Sequence, residues 1–72
     1  MNELKQRIKS ACFEKDLPIS NMLMSAGIQS GDFYMAINGK KPFYRGWRKR
    51  ISEVLDKREE DLFPEFTEKE YE

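Results

Sequence analysis

The stretch from residue 17 to residue 39 limits what this chain can fold into more than any other part of it. Proline is tolerated at the start of a helix but not in its interior, so Pro18 marks the beginning of one short helix. Gly27 occupies a position where a residue in the left-handed conformation commonly ends a helix. Ser30, or less favourably Gln29, can cap the next helix. The pattern therefore predicts two short helices joined by a tight turn, with a second stop at the Asn-Gly pair that closes the stretch.

Apolar residues at helical spacing predict a further helix on each side of this stretch. The first helix covers about 2–15, and the fourth opens at Pro42. Their buried stripes consist of Leu4, Ile8 and Ala11 in the first helix and of Phe43, Trp47, Ile51, Val54 and Leu55 in the fourth. We expect Trp47, the largest of these side chains, to lie at the centre of the core.

The C-terminal part of the chain divides at Pro64. Residues 59–63 predict a one-turn fifth helix, whereas the sequence PEFTEKEYE that follows has no convincing helical or strand period. We therefore expect an all-α fold, with a compact five-helix domain over 1–63 and a short, flexible, acidic tail over 64–72.

The composition argues against several classes of function. The 72 residues form one small domain without histidine, which is the commonest general base and metal ligand. Cys12 is the single cysteine, which excludes an internal disulfide, and we expect it to be a packing residue. Neither a catalytic set of side chains nor a glycine-rich phosphate loop nor a metal-ligand spacing is present. We therefore expect no enzyme, no catalytic residue, no metal and no cofactor.

Membrane association is also unexpected. No apolar run approaches the roughly 20 residues that are needed to cross a bilayer. The N-terminal sequence MNELKQRIKS lacks the apolar region of a secretory signal. We expect a cytoplasmic protein with no membrane partner and no small-molecule substrate.

The formal net charge of zero conceals a strong asymmetry. Residues 1–58 contain twelve Lys/Arg and six Asp/Glu, a net charge of +6, whereas residues 59–72 contain seven Asp/Glu and one lysine, a net charge of −6. A basic body is suited to a polyanion, and an acidic tail is suited to a basic surface. The charge pattern therefore leaves both nucleic acid and another protein open as partners.

With these helices placed, the chain resembles the lambda-repressor-like (Cro/repressor, or XRE) helix-turn-helix family of phages and bacteria over about residues 4–63. The resemblance rests on an ordered set of residues: Arg7-Ile8-Lys9, Leu17, Ala26-Gly27-Ile28, Phe33, Asn38-Gly39-Lys40-Lys41, Ile51, Leu55 and Leu62-Phe63. It implies a five-helix bundle that acts in transcriptional control within the bacterial host cytoplasm. The short length is similar to that of temperate-phage switch proteins, either Cro-type repressors or modulators of repression.

The same resemblance implies which residues face bases or a partner protein. They are Gln29, Ser30, Tyr34 and Met35 in the third helix and Ile19 in the first turn of the second helix. This set is poorly suited to reading bases, because Gly31 between them has no side chain and Met35 is apolar. Asp32 would also meet phosphates with the wrong charge. Tyrosine and methionine are instead suited to protein contacts.

Basic residues follow the third helix in a dense run. Six cations and no acid lie between residues 40 and 50. The family's loop at this point lies along the phosphate backbone, so the resemblance implies that Lys40, Lys41 and Arg45 contact phosphates. Such contacts fix the position of a protein on DNA without reading its sequence.

Two functions from different classes remain open. In the first, the protein binds a partner repressor through the apolar face of its third helix and interferes with operator binding, while the acidic tail pairs with the basic DNA-binding surface of the repressor. In the second, a Cro-like dimer binds operator DNA across two half-sites, with the third helix in the major groove. The lack of base-reading groups favours the first. No second apolar face remains once the core is assigned, so the sequence predicts no evident dimer surface.

Overall fold

The computed structural model describes residues 3–66 and is all-helical over that range, as expected. The helices are α1 (Glu3–Glu14), α2 (Ile19–Ala26), α3 (Ser30–Ile37), α4 (Arg45–Leu55) and α5 (Glu59–Leu62). A sixth helical segment, which the sequence did not predict, covers residues 64–66. The radius of gyration is 11.3 Å, which is the value expected for a compact chain of this length.

The turn between α2 and α3 forms where the sequence places it. Gly27 ends α2 in the left-handed region at φ 71° and ψ 36°. The N–H of Ile28 then donates a hydrogen bond of 2.9 Å to the carbonyl of Leu23, which closes the end of the helix. Gln29, rather than Ser30, occupies the N-cap position of α3, and its side chain makes no capping hydrogen bond.

The buried stripe of α1 is the predicted one. Leu4, Ile8 and Ala11 are buried, and Cys12 joins them as the expected packing residue. Burial also raises the pKa of the Cys12 thiol. Phe13, the next residue, lies on the opposite side of the helix and is 86% exposed.

The prediction that Trp47 forms the centre of the core is wrong, because Phe43 holds that position. The helix α4 begins at Arg45 rather than at Pro42, so an extended segment before it carries Phe43 inward. The Phe43 ring lies 6.0 Å from Phe33, 5.9 Å from Trp47, 5.3 Å from Phe63 and 6.0 Å from Phe66, measured between ring centroids. Trp47 packs at the margin of this cluster and is half-buried.

The domain does not end at residue 63, where the sequence placed the boundary. Phe66 packs against the core beside Phe43 and Phe63. Arg7 in α1 donates a hydrogen bond of 3.0 Å to the carbonyl of Leu62 and forms an ion pair with Glu65. Residues 64–66 therefore belong to the packed domain, and the remainder of the predicted tail, 67–72, lies outside the described residues.

Candidate partner-binding surface of α3

The residues predicted on the third helix lie together on the solvent side of α3. Gln29, Ser30 and Gly31 are exposed at its start. Tyr34 and Met35 follow one turn later and are 37% and 43% exposed. Side chains four residues apart share a helix face, so Ser30 lies below Tyr34 and the bare Gly31 lies below Met35. The exposed face of α3 therefore carries the Tyr34 ring and the Met35 thioether, and at Gly31 no side chain covers the backbone.

Two neighbouring side chains hold the Tyr34 ring in place. Phe33 is buried and meets Tyr34 edge-on, with ring centroids 5.2 Å apart. The ammonium group of Lys5 lies 5.7 Å from the Tyr34 centroid, a distance at which a cation is attracted to an aromatic face. Phe33 thus contributes to the core rather than to the surface, and Tyr34 is presented to solvent in a defined position.

An ion pair joins α3 to the basic segment that follows it. The ammonium group of Lys41 donates a hydrogen bond of 2.7 Å to the carboxylate of Asp32. This hydrogen bond raises the pKa of Lys41 above its ordinary value of 10.5. The pair compensates the negative charge of Asp32 and occupies Lys41, one of the three residues predicted to contact phosphate.

The run of six cations is divided between the surface and the interior. Lys40, Arg45, Lys49 and Arg50 are exposed, whereas Arg48 is only 3% exposed. The guanidinium of Arg48 donates to the carbonyl of Phe43 and lies 4.5 Å from the centroid of the Phe66 ring. Sequence reasoning missed this role, although Arg48 stands three and seven residues before Ile51 and Leu55 and so shares their buried face.

Ile19, the second-helix residue that was predicted to join the contact residues of the third helix, is the first residue of α2. It lines a groove of about 320 Å³ at the junction of α1 and α2, together with Phe13, Leu17 and Pro18. Ile19 is half-buried and packs against the core. The exposed ring of Phe13 was detectable in the sequence, because position 13 falls off the Leu4-Ile8-Ala11 stripe.

Neither a metal-ligand cluster nor a membrane-spanning helix occurs in the part of the chain that the structure describes. Within residues 3–66, no group of His, Cys, Asp or Glu side chains is arranged to hold a metal ion. None of the helices in that range is both long enough and apolar enough to cross a membrane. Comparisons with protein-family models, with curated proteins and with solved structures found no match to this chain.

Proposed function

We propose that this protein is a helix-turn-helix regulator of the lambda-repressor-like kind, from the genetic switch of a temperate phage. It acts in the host bacterial cytoplasm without enzymatic activity, by binding a partner repressor and interfering with operator binding. The arrangement of α2, a left-handed turn at Gly27 and α3 within a small helical domain supports this proposal. The residue-level resemblance of the chain to that family supports the other parts of the proposal, which are the phage origin, the location and the repressor partner.

The exposed face of α3 is the observation that carries the proposal. In this family the corresponding helix enters the major groove, where discrimination requires side chains that match base edges. Here the side chains of Tyr34 and Met35 occupy that face, and Gly31 adds no side chain to it. Asp32 is paired with Lys41. Aromatic and methionine side chains that are half-exposed yet well positioned are typical of protein interfaces.

A variant of Met35 tests this contact. We expect Met35→Asp to abolish association with a helix-turn-helix repressor encoded beside this gene, because the partner surface would have to bury a charge. Met24→Asp is the matched control, since Met24 is 78% exposed on α2 and lies outside the proposed contact. Association is measured by titration calorimetry, and thermal melting checks that both variants fold. Unchanged binding by Met35→Asp would place the contact elsewhere.

Direct operator binding, the Cro-like alternative, is supported by a separate observation. The exposed Gln29 side chain makes no capping hydrogen bond, so its amide is available to a base edge. Lys40, which follows α3, and Arg45, at the start of α4, are exposed and have the charge that phosphate requires. Mobility-shift assays on the switch-region DNA, with and without the repressor, separate the two functions. Tight, sequence-specific binding by this protein alone, lost in Gln29→Ala or Tyr34→Ala, would establish the Cro-like function instead.

A further inference from the structure

The groove at the junction of α1 and α2 is an apolar surface distinct from the exposed face of α3. Its apolar lining comes from Cys12, Phe13, Leu17, Pro18 and Ile19. Phe13 has the highest exposed fraction of the large hydrophobic residues in the part of the chain that the structure describes, 86%. An aromatic ring exposed to water lacks the favourable free energy that its burial would provide. Aromatic residues are also enriched in the buried centres of interfaces.

Two opposite charges border this groove. Lys9 precedes Phe13 by one turn of α1, and Asp16 follows shortly after the helix ends. Several other surface charges are satisfied internally: Arg7 pairs with Glu65, Lys41 with Asp32 and Lys57 with Glu14. No ion pair within residues 3–66 involves Lys9 or Asp16. The groove therefore presents one unpaired cation and one unpaired anion on either side of an exposed ring.

We propose that this groove is a self-association surface, occupied by a second copy of the same chain. In a two-fold dimer the same patch meets itself, and residue order is reversed across the axis. With the axis near Phe13, Lys9 of each copy lies opposite Asp16 of its partner, so these two charges at the border of the groove form two ion pairs across the interface. Each Phe13 ring then enters the groove beside Leu17 and Ile19 of the other copy.

The order of charges favours a second copy over an unrelated protein. Lys9 and Asp16 carry opposite charge and stand on opposite sides of Phe13 along the chain. A surface with this arrangement is complementary to itself without any change, whereas a foreign partner would have to supply the same two charges in reverse order. The dimer would form whether or not the protein binds a repressor.

Sedimentation equilibrium of the full chain tests the dimer. We expect the wild type to dimerise reversibly and Phe13→Ser to weaken the dimer at least ~30-fold, as for an interface hot spot. Met35→Asp on α3 is the control and should leave the dimer intact, which also separates this surface from the proposed repressor contact. A wild type that remains monomeric at ~1 mM, or a dimer that Phe13→Ser does not weaken, would overturn the proposal.

Charge reversal tests the geometry of the dimer. Lys9→Glu alone places two acids opposite each other, and Asp16→Lys alone places two cations opposite each other, so each variant should lose self-association. An equimolar mixture should form a heterodimer, because the introduced glutamate then meets the introduced lysine while the native Asp16 meets the native Lys9. Melting temperatures of the separate variants check folding, since residue 16 adopts a left-handed conformation. If mixing fails to restore association, the two-fold arrangement is wrong.

Discussion

Phe13 and Phe43 show how strongly the environment of one residue type can differ within 64 described residues. Phe43 is buried and its ring contacts four other aromatic rings. Phe13 is on the solvent side of α1. The two side chains bury very different amounts of surface, so the same truncation should have very different effects on stability.

We expect Phe43→Ala to lower the free energy of unfolding by about 3–5 kcal/mol, because it removes a buried ring and leaves a cavity. A domain of this size has a total stability of about 3–5 kcal/mol, so most of the variant should be unfolded at 25 °C. Phe13→Ala should change the stability of the monomer by less than about 0.5 kcal/mol. Thermal and urea denaturation followed by circular dichroism at low protein concentration measures both.

Trp47→Ala provides the comparison that tests which ring is central. Trp47 is half-buried, so its truncation should cost less than that of Phe43 despite its larger side chain. If Trp47→Ala proves the more destabilising of the two, Phe43 is not the centre of the aromatic cluster.

Glycine has opposite effects on stability at two positions of the α2–α3 unit. Gly27 has φ 71° and ends α2, a conformation that L-residues with a side chain adopt at a cost. Gly31 lies in the first turn of α3 without a positive φ. An added Cβ meets no atom within 4 Å at either position, so only the backbone conformation distinguishes them.

The two glycine substitutions should therefore change stability in opposite directions. Gly27→Ala should destabilise the protein by about 1–2 kcal/mol, and Gly31→Ala should stabilise it by up to about 1 kcal/mol. Urea denaturation gives both values. A loss of stability in Gly31→Ala would mean that the start of α3 needs glycine for a reason other than backbone freedom.

Polar contacts join the first helix to the C-terminal third of the chain. Arg7 reaches Leu62 and Glu65, and Lys57 donates a hydrogen bond of 2.8 Å to Glu14. The hydrogen bond to Glu14 raises the pKa of Lys57 above its ordinary value of 10.5. A raised pKa in the folded state means that this contact stabilises the protonated, folded form.

The contribution of Lys57 should accordingly be present below its ordinary pKa and be lost as the pH rises through the higher, folded value. We expect Lys57→Gln to melt below the wild type at about pH 9 and to converge with it toward about pH 12. The effect is small, because both groups of the pair are solvent-accessible. Lys49→Gln is the control, because Lys49 is exposed and forms no ion pair within the described range, and this variant should melt close to the wild type at about pH 9. A pH-independent difference for Lys57→Gln would contradict the assignment.

Local sequence was sufficient to predict the helical class, the left-handed turn at Gly27 and the Leu4-Ile8-Ala11 stripe. These features depend on spacing along one helix and on the conformational preference of single residues, both of which are present in the chain before it folds. The predicted contact residues of α3 rest instead on the family resemblance. Their exposure agrees with the helical spacing, because Phe33, Ala36 and Ile37 occupy the buried face of α3.

Packing between distant segments settled the remaining features. The position of Phe43 at the core centre, the burial of Arg48 beside Phe66 and the pairing of Lys41 with Asp32 each join residues on different elements. Helical periodicity shows which residues share a face, but not which neighbour covers that face. Whether a side chain is buried or a charge is paired depends on that neighbour, and therefore on the folded molecule.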